Sequence, residues 1–126
     1  MIKQILSRDI KKHLEANSKC ILLDIRMQEE VDTLGKPDGD KLGIKTYFLP
    51  MEFDSPGIVK KNFLDKFKNL PINKENQILT ICASGIRSQF AAELLTKENY
   101  ICVNISDGFS GNDENPGWQY SDLPCK

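Results

Sequence analysis

Short apolar runs alternate with helical patterns along this chain. Ile2 to Leu6 reads as a short strand. Ser7 then reads as an N-cap for a helix whose face is marked by Ile10, Leu14 and Ala16 and which ends near Asn17. Ile21-Leu22-Leu23 is a buried strand ending in Asp24, and Met27 to Thr33 is a short helix. Gly35 to Gly43 holds Pro37, Asp38 and three glycines, the composition of a loop. Ile44 to Leu49 is another strand. Phe63, Leu64 and Phe67 fall at helical spacing, so Asn62 to Asn69 is a helix, closed by Leu70-Pro71. Gln77 to Ile81 is apolar and partly β-branched, as a buried strand is. Ser88 to Lys97 returns to helical spacing with a Ser near its start. Ile101 to Ile105 is the last strand. Asp107 to Lys126, rich in Gly, Asn, Asp and Pro, is mostly loop, with Trp118 as its anchor.

Strand–helix–strand repetition predicts an α/β fold, a parallel sheet covered by helices. In such sheets ligands bind beyond the C-terminal ends of the strands. Asp24 and Cys82 both fall at such ends. No sequence repeat or linker divides the chain, so residues 1–126 are read as one domain.

Composition narrows the class. Charged residues make up 28% of the chain and the net charge is −1, which fits a soluble globular protein without a nucleic-acid footprint or a membrane-surface patch. No apolar run reaches the ~18 residues of a membrane span. The start, Met1 to Asp9, lacks the apolar core of a secretory signal, so a cytoplasmic location is expected. The four cysteines are Cys20, Cys82, Cys102 and Cys125; none forms a Cys-x-x-Cys pair, and the single histidine, His13, is distant in sequence. No metal site is expected. Cys20 and Cys102 adjoin apolar runs and read as small buried hydrophobes, while Cys125 sits in the C-terminal tail.

The remaining cysteine carries the chemistry. Cys82-Ala83-Ser84-Gly85-Ile86-Arg87-Ser88 links a strand to a helix. The helix start offers unpaired N–H groups and the positive end of the dipole. Both favour thiolate over thiol, and the thiolate is the nucleophile. Gly85 lets the loop curl so that its amides point inward.

Three segments together resemble the rhodanese-like (sulfurtransferase) family. Leu22-Leu23-Asp24-Ile25-Arg26-Met27-Gln28-Glu29-Glu30-Val31 is similar to the family's apolar-Asp-Val-Arg-x-x-x-Glu-aromatic segment, with Val31 in place of the aromatic. Ile81 to Ser88, followed by Ala91, Ala92 and Leu95, resembles its active-site loop and helix. Asp107-Gly108-Phe109, then Gly117-Trp118 and Leu123-Pro124, resembles its C-terminal segment. The chain has Gly35-Lys36-Pro37-Asp38 and a longer loop where many members carry His-Ile-x-Gly-Ala, as in a subgroup of small single-domain members.

The resemblance implies a rhodanese-like fold of three layers, a central parallel sheet with helices on both faces. It implies an enzyme, a thiosulfate-type sulfurtransferase that works through a Cys82 persulfide. Sulfane sulfur would come from a donor such as thiosulfate and pass to a thiophilic acceptor, a thiol, a cyanide-like ion or a protein. No cofactor, metal or organic, is implied.

Within that frame Cys82 is the nucleophile, and the loop Ala83, Ser84, Gly85, Ile86, Arg87 and Ser88 binds the donor and the sulfur anion. Arg87 has three readings: it binds the anionic donor, holds the thiolate, or braces the loop against Asp24, with donor binding slightly favoured. Ser84 and Ser88 are candidate hydrogen-bond donors to the persulfide, although for Ser88 capping its own helix is preferred. Asp24, Arg26 and Glu30 form a charged cluster after a strand. Asp24 and Arg26 support the site; for Arg26 and Glu30 a salt-bridge set that ties the loop down is preferred to substrate contact. His13 is expected on the polar side of its helix with no role, and Trp118 in packing.

Two other classes compete. Phosphatases and arsenate reductases also run from a Cys to an Arg at a helix start, but with five residues between; here only Ala83 to Ile86 intervene, a tighter ring that suits one sulfur atom. A non-turnover sulfur carrier or regulatory binding module is the second.

Overall fold

A computed structural model describes residues 1–126. Five strands form a wholly parallel sheet: β1 (Lys3–Ile5), β2 (Cys20–Asp24), β3 (Lys45–Phe48), then β6 (Gln77–Ile81) and β7 (Ile101–Ile105) after a small hairpin. Their spatial order is β1-β7-β6-β2-β3. β2, β6 and β7 lie inside the sheet, and the apolar residues of these three strands are buried except Ile101 at the start of β7. In register Leu22 stands opposite Leu79, and Asp24 opposite Ile81, so the strand ends carrying Asp24 and Cys82 are side by side.

Because side chains alternate across a strand, each inner strand feeds two cores. Ile21, Leu23, Ile78 and Cys102 point to one face, where α3 (Asn62–Lys68) contributes Phe63 and Phe67 and α4 (Ile86–Lys97) contributes Ala91, Ala92 and Leu95. Leu22, Leu79, Val103 and Ile105 point to the other face, covered by Ile10 of α1 (Ile10–Ala16) and by Phe109, Trp118 and Leu123 of the C-terminal segment. The architecture is therefore α/β in three layers. No helix is long and apolar enough to cross a membrane.

The C-terminal segment is irregular but firmly held. Trp118 is fully buried and its Nε1–H donates to the Pro124 carbonyl at 2.9 Å. Cys125 bridges to Pro37, and Lys126 and Lys36 exchange backbone bonds at 2.9 and 3.2 Å. The expected tail is thus pinned against the Gly35–Asp38 segment. Asp107 is the hub. It is 1% exposed, and its carboxylate accepts from the Ser7 N–H and Oγ–H at 2.9 Å each and from the Gly117 N–H at 3.1 Å.

Two expectations are corrected here, and one element is added. Ser7 does not cap α1; it lies in a single 3₁₀ turn, Ser7–Asp9, and its hydroxyl turns inward because the buried Asp107 carboxylate needs donors. His13 is 8% exposed rather than outward, since Ile10, His13 and Leu14 share the face that rests on the sheet; its ring bonds the Gln77 side chain. A hairpin of β4 (Phe53–Ser55) and β5 (Ile58–Val59) has no counterpart in the predicted elements. Its strands are too short to show a period, and it is held partly by an edge-on contact of Phe53 with Phe90, ring centroids 6.0 Å apart.

Candidate active site

The Cys82 loop leaves the end of β6 and enters α4, whose first turn closes over the sulfur. Gly85 is the N-cap residue, with φ +99°. A side chain there would strike the Ser106 carbonyl, and one at Gly108 would strike the carbonyls of Ala83 and Cys82. That close approach lets the Gly108 turn clamp the loop: the Phe109 N–H donates to the Cys82 carbonyl at 2.7 Å and the Ser110 N–H to the Ala83 carbonyl at 2.8 Å.

Three donors converge on Cys82 Sγ. The Gly85 N–H lies at 3.1 Å, the Ser88 N–H at 3.3 Å and the Ser88 Oγ–H at 3.2 Å. Their convergence is the environment an anionic sulfur requires. Of the loop amides expected to face inward, only those two reach the sulfur. Ser88 is not the helix cap; it is the third residue of α4, and its buried hydroxyl points back at Cys82. Ser84 and Ile86 instead line an open cavity of ≈ 510 Å³ beside the loop, with Gln4, Gln89 and Asn104. Cys82 itself has no exposed surface.

The charged cluster sorts into two pairs. Arg26 and Asp24 are both buried; Nη2 meets Oδ2 at 2.8 Å and Nε meets Oδ1 at 3.0 Å, while the Arg26 N–H also donates to Oδ1 at 3.1 Å. Arg26 Nη2 reaches the Gly35 carbonyl at 3.0 Å, Nη1 has no partner, and the guanidinium lies 4.3 Å from the Phe109 ring centroid. Arg87 pairs with Glu30, two parallel bonds of 2.7 Å each. Asp24 is therefore not the brace for Arg87. Arg26 sits two residues away on the same strand end and takes the carboxylate first, and Glu30, on α2 (Gln28–Leu34), faces Arg87 across the loop. Glu30 also accepts the Met27 N–H at 3.0 Å, which fixes it to the start of α2.

The Arg87 fork holds the Glu30 carboxyl below the usual carboxylate range, and Glu30 raises the Arg87 guanidinium in turn. A depressed carboxyl contributes stability above the unfolded value near ~4.3 and loses it as pH falls through the folded value. Glu30→Gln should therefore cost about 1 kcal/mol near neutral pH, and the difference from wild type should shrink to nothing in acid. Paired urea melts between neutral pH and strongly acidic pH check this; a difference that persists in acid would show that the pair's charge is not the source.

The sequence reading missed Asn104 and Thr80. Asn104, 1% exposed on β7, donates from Nδ2 to the Gly85 carbonyl at 3.0 Å and accepts from Thr80 Oγ1 at 3.1 Å. Together they hold the Gly85 carbonyl, on the peptide that follows the Gly85 N–H facing the sulfur. A polar residue inside the apolar run Ile101–Ile105 was the available signal. No group of three or more His, Cys, Asp or Glu side chains is placed to hold a metal ion.

The fold is shared with known proteins. The chain is 35% identical over 126 residues to the uncharacterized protein RP600 of Rickettsia prowazekii (strain Madrid E), covering 98% of this chain and 97% of that one. It superposes on the crystal structure of Rv0390 from M. tuberculosis with a TM-score of 0.79 at 28% identity, covering 98% and 96% of the two chains. The single-domain sulfurtransferase RDL2 of Saccharomyces cerevisiae has the same fold, with a TM-score of 0.58 at 21% identity and 88% of each chain covered. The sequence profile of the Rhodanese-like domain matches residues 7–114, and the chain belongs to that family.

Proposed function

We propose that this protein is a sulfurtransferase that carries sulfane sulfur on Cys82 from a small donor to a thiophilic acceptor. The observation that carries the reading is the convergence of the Gly85 and Ser88 N–H groups and the Ser88 hydroxyl on one buried sulfur. The naming of the yeast neighbour as a single-domain sulfurtransferase supports it. The Cys82 thiolate attacks the outer sulfur of the donor. With thiosulfate, the new Sγ–S bond forms as the S–S bond of the donor breaks, and sulfite leaves with the electron pair. The donors that met the thiolate then serve the persulfide anion, which an acceptor thiol or cyanide relieves of its outer sulfur. All four cysteines are free, as a reducing compartment such as the cytoplasm would keep them.

An enzyme and a non-turnover carrier differ in one measurement. Supplied with thiosulfate and excess cyanide, the protein should form many equivalents of thiocyanate per Cys82. One sulfur taken up and none passed on would identify a carrier that needs a protein acceptor.

A further inference from the structure

We infer that Asn104, oriented by Thr80, is a positioning residue for Cys82: it fixes Gly85 so that the Gly85 N–H stays on the sulfur and favours its anionic form. What that anion then does rests on the sulfurtransferase reading. The signal is a polar row where the fold calls for a core. Gln4, Asn104 and Thr80 stand side by side, in register, on β1, β7 and β6. Because side chains alternate, Thr80 and Asn104 share the face of Ile78 and Cys102, the one that α4 covers. Thr80 is 0% exposed and Asn104 1%. Polar groups so deeply buried destabilise a fold unless they are bonded, and apolar side chains would fill the same space without that penalty.

Every polar atom at the centre of the row is satisfied, and the bonds lead to Gly85. Asn104 Nδ2 donates to the Gly85 carbonyl at 3.0 Å and to Gln4 Oε1 at 2.8 Å, while Oδ1 accepts from Thr80 Oγ1 at 3.1 Å. A carbonyl can only accept, so Nδ2 is the atom that must face Gly85, and the Thr80 hydroxyl holds the amide that way round. Gly85 is caught on a second side, where the Ser106 carbonyl fills the place of a Cβ. With its carbonyl tethered and its Cα wedged, Gly85 cannot swing its N–H away from Sγ, 3.1 Å distant. The charged groups around the loop are engaged elsewhere. Arg87 pairs with Glu30, Arg26 with Asp24, and Asp107 accepts from Ser7 and Gly117. None of them bonds Gly85, so the task falls to the neutral amide.

Asn104→Leu, near in size, removes the donor and tests this. Alkylation of Cys82 by iodoacetamide in the reduced full-length protein, read by mass on its peptide, is followed against pH, with sulfur loading from thiosulfate in parallel. The rising limb of the alkylation profile should move up by about one pH unit, a loss of about tenfold in rate near neutral pH that alkaline pH restores. Thr80→Val should move it the same way by less, because the amide remains but is free to turn. Val103 is buried on the opposite face of the same strand, so Val103→Ala should lower the urea midpoint and leave the profile in place. An unmoved profile in folded Asn104→Leu, a loss that alkaline pH does not restore, or an equal move in Val103→Ala would each overturn the inference. If Asn104→Leu does not fold, Thr80→Val decides by the same outcomes. Wild-type protein that is alkylated at Cys82 but takes up no sulfur would sink the sulfurtransferase reading, and the alkylation profiles would still judge Asn104.

Discussion

Cys82→Ser should abolish sulfur uptake and lower transfer by at least ~10³-fold, with the fold intact. The hydroxyl is a weak nucleophile here, and oxygen does not form the stable sulfur-bearing intermediate that sulfur does. The substitution is nearly isosteric, and the Gly85 and Ser88 donors can meet an oxygen as they meet Sγ. No other cysteine replaces it. Burial pushes the Cys102 thiol up to about 11, and pushes Cys20 up as well. Cys125 is an exposed residue, but its sulfur is partly covered, and desolvation raises its thiol too. Its place in the bridge to Pro37 also denies it the freedom a thiol needs to resolve a Cys82 persulfide as a disulfide. Intact mass after incubation with a sulfane donor, peptide mapping and transfer kinetics check the prediction. Cys125→Ser should keep both sulfur uptake and transfer. Transfer activity retained by Cys82→Ser would make the whole sulfurtransferase reading wrong.

Asp24→Ala should destabilise the protein by about 3–5 kcal/mol, because it strands a buried guanidinium without its counter-ion. Arg26 is 0% exposed and already leaves Nη1 unpartnered. Only the Gly35 carbonyl and the Phe109 ring would remain to it. A loss of that size is a large share of a typical total of about 5–15 kcal/mol. Replacing both partners by apolar residues, Asp24→Leu with Arg26→Met, should restore much of the loss, since no charge is then left buried. Urea denaturation of the two single variants and the double variant measures this directly. A single variant that melts like wild type would mean that water reaches Arg26, and the pair would then not be the buried tie described above.

The elements that could be read in the chain are those whose signal is local. Gln77–Ile81 and Ile101–Ile105 are strands by their own apolar runs, and Phe63 and Phe67 mark α3 by spacing alone. The Cys82 loop stood out because strand, glycine and helix start are contiguous. Pairing was a different matter. Arg87 and Glu30 are 57 residues apart, and they meet because β6 lies beside β2, which puts the two strand ends side by side. Until that order is known, Asp24 is as good a partner for Arg87 as Glu30 is. The inward turns of Ser88, His13 and Ser7 share one cause: a polar side chain is turned by the sulfur, amide or carboxylate that tertiary packing buries next to it. Backbone propensity and hydrophobic period are properties of neighbours in sequence, so the chain alone determined the strands of the parallel sheet, the main helices and the place of the Cys82 loop. Hydrogen-bond and charge partners are properties of neighbours in space, so only the folded sheet decided what holds the sulfur and what neutralises Arg87.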